Sequence, residues 1–409
     1  MSYTFKSDIT SEAYMQFLQL LPHYNIMQTP MWAQVKTGWT HAICGLYQGE
    51  ELIAASLLLI RRLPLGIKIM YAPRGIMIDY SNIDHLIEFT KGLKNYARKM
   101  GAYVVRIDPE IILSKTFKGI TTEQAKGHEI LERVKCVGYL HMGFAKDFHT
   151  YTQPRFNAEY RILNDDGKPL SDEAILTGFD KKVKKFIGRY TEERGIFFEN
   201  SKSETAVELF SQISEHTEDR QHILLRDLNY FKRIQNAFND DNVYFFAKID
   251  LDKFISFSED QIKNGMNTEQ AESDIKEAKE IKDKKGNIVT LSALLTIKNK
   301  DTAYLMYSGF DDSIFPRFRT TNQLRYEAMK YFRDCGCKVF SFMGVDGNLT
   351  DSLSEFKLKF NPYVVEYVGE FEFPVRKFTY SLMTMFFPLI KRLYIRFQLF
   401  FKSKKSGGK

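Results

Sequence analysis

An amphipathic helix that ends at a glycine and runs straight into a buried apolar strand occurs twice in this chain. The first copy is IDHLIEFTKGLKNYARKMG followed by AYVVRIDPE, and the second is NQLRYEAMKYFRDCG followed by CKVFSFMGV. In each, apolar residues recur at helical spacing up to the glycine, and the run behind it reads as a strand covered on both faces. Similar strand signals precede each helix. HAICGLYQGEELIAASLLLIRRL and IKIMYAPRG give a hairpin and a third strand, and NVYFFAKID, GNIVTLSALLTIKN and DTAYLMYSG give their counterparts. The repeated order predicts two copies of one αβ unit, and 409 residues exceed what one ordinary core organises.

The surroundings of the two copies differ. Two short helices, SEAYMQFLQLL and PMWAQVKTGW, precede the first, the second of them opened by Pro30. Inside the second copy, residues 252–285 are charge-rich, proline-free and helix-forming. An excursion that leaves and re-enters at a hairpin tip predicts a protruding helical pair. Its apolar positions, Phe254, Phe257, Ile262, Ile275, Ala278 and Ile281, are few, so a solvated charged excursion is the other reading. The expected boundaries are 1–153 for the first domain, completed by about 365–375, then 154–365 for the second, with 252–285 as the arm and 376–409 as a tail.

Charge bears on function more than on fold. Of a formal net charge of +7, nine Lys or Arg and no Asp or Glu lie beyond Glu372. That segment is apolar and aromatic on a basic background. Its longest uncharged run, Phe378 to Ile390, is shorter than the roughly 20 residues a membrane span needs. A basic amphipathic helix lying on an anionic membrane surface fits it, with Phe386, Phe387, Phe400 and Phe401 facing the lipid and Lys391, Arg392 and Arg396 facing headgroups. A helix docked on the protein's own surface is the alternative. Cys44, Cys136, Cys335 and Cys337 form no C-x-x-C pair, and the eight histidines show no ligand spacing, so no metal and no thiol redox chemistry are expected. The N-terminal stretch MSYTFKSDIT has no signal-peptide pattern, which predicts a cytoplasmic protein.

Seven segments, taken in order, resemble the FemABX peptidoglycan aminoacyltransferases, nearest the MurM, MurN and FemX type. They are MQTPMWAQVKTGW, APRGIMIDY, VVRIDPE, FDKKVKKFIGRYTEERGIFFE, LRDLNYF, AYLMYSGF and EFKLKFNPYVVEYVGEFEFPV. The resemblance implies an α/β (α+β) fold of two tandem GNAT-like (acyl-CoA N-acyltransferase-like) domains with a helical arm inserted in the second; in this sequence the arm reads as a short helical hairpin and the tail as a C-terminal amphipathic helix. It implies transfer of an amino acid, Ala, Ser or Gly, from aminoacyl-tRNA to the stem-peptide lysine of lipid II or of a UDP-linked precursor, or to the first added residue. No cofactor is implied, and the protein is expected to act as a monomer on the inner face of the membrane.

The same resemblance implies roles for particular residues. Lys36 and Arg226 correspond to contacts with the precursor phosphates, where fixed cations meet a compact double anion. Tyr230, one helical turn after Arg226, and Tyr307 correspond to tyrosines lining the same channel. Lys357 corresponds to a lysine beside the reacting ester, with Lys359 pointing the other way if the segment is a strand. Asp108 corresponds to a carboxylate proposed to take a proton from the attacking amine, and its Asp-Pro sequence equally suits a cap on the following turn. Lys181, Lys182, Lys184, Lys185 and Arg189, on an expected helix, suit tRNA phosphates or a solvated face. Two other classes stay open: an acyl-CoA-dependent N-acyltransferase, which normally shows a glycine-rich pyrophosphate turn absent here, and a non-catalytic membrane-docked RNA-binding protein.

Overall fold

The structure, a computed structural model, describes residues 2–63, 66–147, 152–164, 166–189, 191–221 and 226–386. The chain divides into two compact units, each with its own sheet. The first comprises Met1–Ile111, Ala125–Phe144 and Val368–Lys409, and the second Ile112–Gln124 and Ala145–Tyr367.

The first unit carries a seven-stranded sheet. Its order is Tyr3–Lys6, Thr40–Gln48, Glu51–Arg62, Lys68–Ala72, Ala102–Ile107, Phe371–Pro374 and Leu140–His141. Neighbours are antiparallel except Lys68–Ala72 and Ala102–Ile107, which run parallel and are joined by the helix Ile83–Lys99. That helix starts where the Asn82 side chain accepts from the His85 amide at 3.2 Å. Leu86, Phe89, Leu93 and Ala97 form its buried stripe, and Gly101 closes it at φ 79°, a conformation costly for any residue with a Cβ.

The second unit repeats this arrangement inside a nine-stranded sheet. Ile196–Ser201, Asn242–Asp250, Ile288–Asn299 and Thr302–Phe310 run antiparallel. The helix Thr320–Asp334 then crosses over to Val339–Val345, parallel to Thr302–Phe310. Phe156–Arg161, Tyr363–Tyr367, Ile112–Phe117 and Ile120–Glu123 complete the sheet. The boundary at residue 153 read from sequence differs from this division. The hairpin Ile112–Glu123 pairs with Tyr363–Tyr367, Val364 opposite Thr116, and so belongs to the second unit. A pairing over that sequence distance leaves no mark in local composition.

The inserted segment is a pair of helices, Leu251–Lys263 and Thr268–Lys285. Asp250 caps the first, and the Leu251 amide donates to the Asn287 carbonyl at 3.0 Å, which closes the base of the excursion. The pair is rooted in a core cluster of Ile249, Phe254, Ala278, Leu291, Phe315 and Phe318. Phe254 meets Phe315 edge-on at 5.0 Å between centroids. Arg317 pairs with Asp274 and Glu277 of the arm.

Residues 377–386 are helical. Tyr380 and Met383 pack on Ile69, Tyr103 and Val104, while Phe378, Leu382, Met385 and Phe386 are exposed. Phe387, Lys391, Arg392, Arg396, Phe400 and Phe401 lie outside the described residues. Among the described residues no helix is long and apolar enough to cross a membrane.

Phe254 ties the arm to the loop carrying Phe315 and Phe318. Truncation to alanine leaves a hole among three aromatic rings, so Phe254→Ala should destabilise the protein by about 3–5 kcal/mol. Thermal melting should show the loss, and hydrogen exchange should show faster amide exchange across residues 314–318.

Candidate functional site

The second unit encloses a cavity of about 580 Å³. Its walls come from the strand Thr302–Phe310, the start of the helix Thr320–Asp334 and the helix Ser352–Leu358, which contribute Tyr307, Arg325, Phe356 and Lys357 among others.

Lys357 sits on a seven-residue helix, not on a strand, so the alternation that set Lys359 aside does not apply; Lys359 is the helix C-cap. The helix forms because Asp351 accepts from the Leu353 and Ser354 amides, both at 3.0 Å, and because Phe356 and Phe360, one turn apart, meet at 5.7 Å on the core side. The Lys357 ammonium donates to the Gly344 carbonyl at 2.6 Å. Among the described residues no carboxylate pairs with it. Burial first, and the neighbouring Arg325 charge second, push Lys357 down to about 7, against a weaker opposing pull from Asp351. A lysine in that range exchanges its proton near neutral pH.

Tyr307 lies on a strand whose register with Ile288–Asn299 shifts at Leu295 and Thr296. Its hydroxyl donates to the Tyr230 hydroxyl at 3.2 Å, and the two rings meet at 85°. Burial, then the nearby Tyr307, push the Tyr230 phenol well up, so it stays neutral. Tyr230 is in the first turn of the helix Leu228–Phe238, where Asp227 caps by accepting from the Tyr230 amide at 2.8 Å. Arg226 therefore precedes the helix instead of sharing a face of it, because Asp227 is the better N-cap. The two still meet, with the exposed Arg226 guanidinium 5.1 Å from the Tyr230 ring centroid. Arg233 approaches the same ring at 5.7 Å.

The basic segment is only briefly helical. Lys181–Lys184 form one turn capped by Asp180, and Gly188 at φ 75° ends the turns that follow, so Arg189 lies beyond the helix. Lys181, Lys182 and Lys185 are exposed, and Lys184 donates to the Thr177 carbonyl at 3.2 Å. The Lys185 ammonium and the Arg319 guanidinium both lie over the Phe186 ring, at 5.0 and 5.3 Å. Arg319 also lines the cavity, which links the basic segment to the cavity wall.

Lys36 and Asp108 belong to the first unit. Lys36 is the C-cap of the helix Pro30–Val35, with its ammonium 4.5 Å from the Trp32 ring centroid. Asp108 is buried at the end of Ala102–Ile107. It accepts from the Tyr71 hydroxyl at 2.7 Å and from the Arg74 backbone amide at 2.6 Å.

Sequence reasoning passed over Arg325. It lies on the crossover helix, 5% exposed, where burial lowers the guanidinium to about 9 and still leaves it charged at neutral pH. The signal was present: Arg325, Met329 and Phe332 keep the spacing of an apolar stripe, so the helix turns a charge inward.

Two sheets, each with an antiparallel run closed by a helical crossover onto a parallel strand, define a mixed α/β protein. The fold is that of FemX, whose crystal structure matches at a TM-score of 0.76 and 24% identity, over 94% of this chain and 100% of that one. The sequence matches the FemAB family over residues 9–268 and 256–387. The chain belongs to the FemAB family and is a transferase. It is 26% identical to the lipid II:glycine glycyltransferases of Staphylococcus haemolyticus (strain JCSC1435) and Staphylococcus aureus (strain MRSA252), covering 99% and 98% of this chain and 100% of each relative.

The buried lysine has a pH signature. The unfolded chain holds its proton up to the ordinary value of 10.5, whereas the folded protein releases it at about 7. Unfolding between those values takes up a proton, so Lys357 makes stability rise with pH across the window and destabilises the fold most below pH 7. Lys357→Met should therefore melt higher than the parent at pH 6.5, by about 1–4 kcal/mol in stability, and the difference should fade towards pH 10. Paired melting curves across pH 6–10 read both.

Proposed function

We propose that the protein transfers an aminoacyl group from aminoacyl-tRNA to the stem-peptide lysine of lipid II, or to the first residue added to it, in building an interpeptide bridge. The observation that carries this reading is the meeting of Lys357, Tyr307 and, through Tyr307, Tyr230 at one cavity in a FemAB-family fold. Relatives named for glycyl transfer to lipid II support the acceptor, and the donor is one of Ala, Ser and Gly.

The chemistry needs no covalent enzyme intermediate. The acceptor amine attacks the aminoacyl ester carbonyl, a C–N bond forms, and the carbonyl oxygen gains the charge of a tetrahedral oxyanion. Protonated Lys357 stabilises that oxyanion, worth about 3 kcal/mol for a well-aimed donor. Collapse breaks the C–O bond, and the tRNA ribose hydroxyl leaves with a proton while the amine gives one up. Asp108 is the proposed acceptor of the amine's proton. The bonds from the Tyr71 hydroxyl and the Arg74 amide fix the orientation of that carboxylate. By the family resemblance Lys36 of the first unit and Arg226 of the second are each proposed contacts to precursor phosphates, Tyr230 and Tyr307 line the channel beside Arg226, and Lys181, Lys182, Lys184, Lys185 and Arg189 meet tRNA phosphates.

The protein works as a monomer at the cytoplasmic face of the membrane. The exposed Phe378, Leu382, Met385 and Phe386 supply an apolar face for an interfacial helix, on the side opposite Tyr380 and Met383.

Purified protein mixed with labelled Ala-, Ser- or Gly-tRNA and with lipid II, unmodified or carrying one added residue, should label the lipid with one donor and acceptor pair. Lys357→Ala should lower kcat about 100-fold or more while the protein stays folded. Absence of transfer with every pair, from folded protein that binds lipid II, overturns the proposal. Replacing Lys181, Lys182, Lys184 and Lys185 together by Gln should weaken tRNA binding and flatten its dependence on salt. An unchanged salt slope would remove the basic segment from the tRNA path.

A further inference from the structure

We propose that Arg325 anchors a nucleotide phosphate inside the cavity of the second unit, beside Lys357; this rests on the transfer reading only in placing that nucleotide at the end of the donor RNA. Arg325 has five N–H donors and uses two, Nη1 to the Thr321 carbonyl at 2.8 Å and Nη2 to the Ser308 hydroxyl at 3.1 Å. Its Nε has no partner, although the side chain is buried. Among the described residues no carboxylate pairs with it. The guanidinium lies 4.7 Å from the Phe356 ring centroid, and that contact leaves its charge uncompensated. A charge left this way in a protein interior is costly unless something arrives to neutralise it.

The neighbours point to an anion as that group. Lys357 is a second cation on the same cavity, and among the described residues it too pairs with no carboxylate. Asp311, the one acidic side chain on the cavity wall among the described residues, is already held by Lys285 at 2.7 Å. The helix Thr320–Asp334 begins at the cavity, with Thr320, Thr321 and Asn322 on its wall and no side chain capping it.

A bare phosphate would not satisfy the rest of the wall. Asn322 presents a buried Oδ1 with no partner, which calls for an N–H or O–H on the ligand. A nucleotide brings such donors on its base and ribose, and Tyr307, Phe342 and Phe356 offer aromatic surface to the base. About 580 Å³ is room for a nucleotide, within the usual range of small-ligand pockets. Arg319 and Lys185, on either contact with the Phe186 ring, continue the positive charge away from the cavity, as a chain of further phosphates would require.

Two sources share this chemistry, the 3′-terminal nucleotide of an RNA and the nucleotide end of coenzyme A. Titration calorimetry with adenosine 5′-monophosphate, adenosine, the trinucleotide CpCpA and coenzyme A separates them. The monophosphate should bind at least about tenfold tighter than adenosine. Arg325→Met should remove that preference and leave adenosine binding unchanged, and Arg325→Lys should restore part of it. Equal binding of monophosphate and adenosine by the parent, or an unchanged preference in Arg325→Met, overturns the inference. Tighter binding of CpCpA than of coenzyme A assigns the phosphate to RNA, and the reverse order keeps the anchor and overturns the donor reading.

A measurement on the unmodified protein covers the case in which the variants fail to fold. The NMR titration of the Lys357 side chain should move to higher pH when the monophosphate is added, and an unmoved midpoint counts against the inference. Since no transfer is measured, a failed transfer assay with phosphate-dependent binding intact sinks the proposed function alone.

Discussion

Each sheet contains one parallel pair of strands, and a parallel pair cannot be closed by a tight turn. The chain must leave the sheet, pass along it as a helix and return, which puts the start of that helix at one end of its strands. In the second unit this constraint sets the start of Thr320–Asp334 and the side chain of Arg325 on the cavity where Tyr307 and Lys357 also lie. Position of the chemistry therefore follows from topology, and the residues at the crossover decide what the position does.

What they do is hold positive charge in a low-dielectric place. Arg325 is buried and Lys357 half-buried, neither paired with a carboxylate among the described residues, and each lowers the cost of deprotonating the lysine, Lys357 through its own desolvation and Arg325 through repulsion. A fold selected for stability alone would replace them with apolar side chains or give them acidic partners. Keeping both is what a site requires if an anionic substrate is to complete its electrostatics. On the proposed reading, arrival of that anion would favour the charged lysine and so couple binding to the protonation of Lys357.

The repeated order of strands, helix and glycine stop was legible because it is written in local periodicity. So were the arm and, among the cavity residues, Tyr307 and Lys357, these two through the FemABX resemblance and not through spacing. Three features were not legible. The pairing of Ile112–Phe117 with Tyr363–Tyr367 joins segments with no local cue to their partnership. The state of the EFKLKF segment turned on an Asp351 cap and a Phe356–Phe360 contact, while the alternating apolar pattern also suits a strand. Arg226 was placed on the helix because its spacing from Tyr230 is right, but the Asp227 cap moves the first turn past it.

The two units solve the same problem of buried charge in opposite ways. In the first, Arg74 is buried with a left-handed backbone at φ 55°, its side chain 3.7 Å from Glu110 and its amide on Asp108. Burial alone would raise Glu110, but His23, Arg74 and Asn25 overcome that and hold it low, so this cluster carries its own counter-ions. Ile83–Lys99 is capped by a side chain as well, whereas Thr320–Asp334 is not. The chain thus carries two units of similar frame, of which the first closes its charges among themselves and the second leaves two cations and a helix terminus at a cavity. The difference lies in a few side chains, which is why a frame repeated in sequence order leaves the asymmetry of function to be read from the structure.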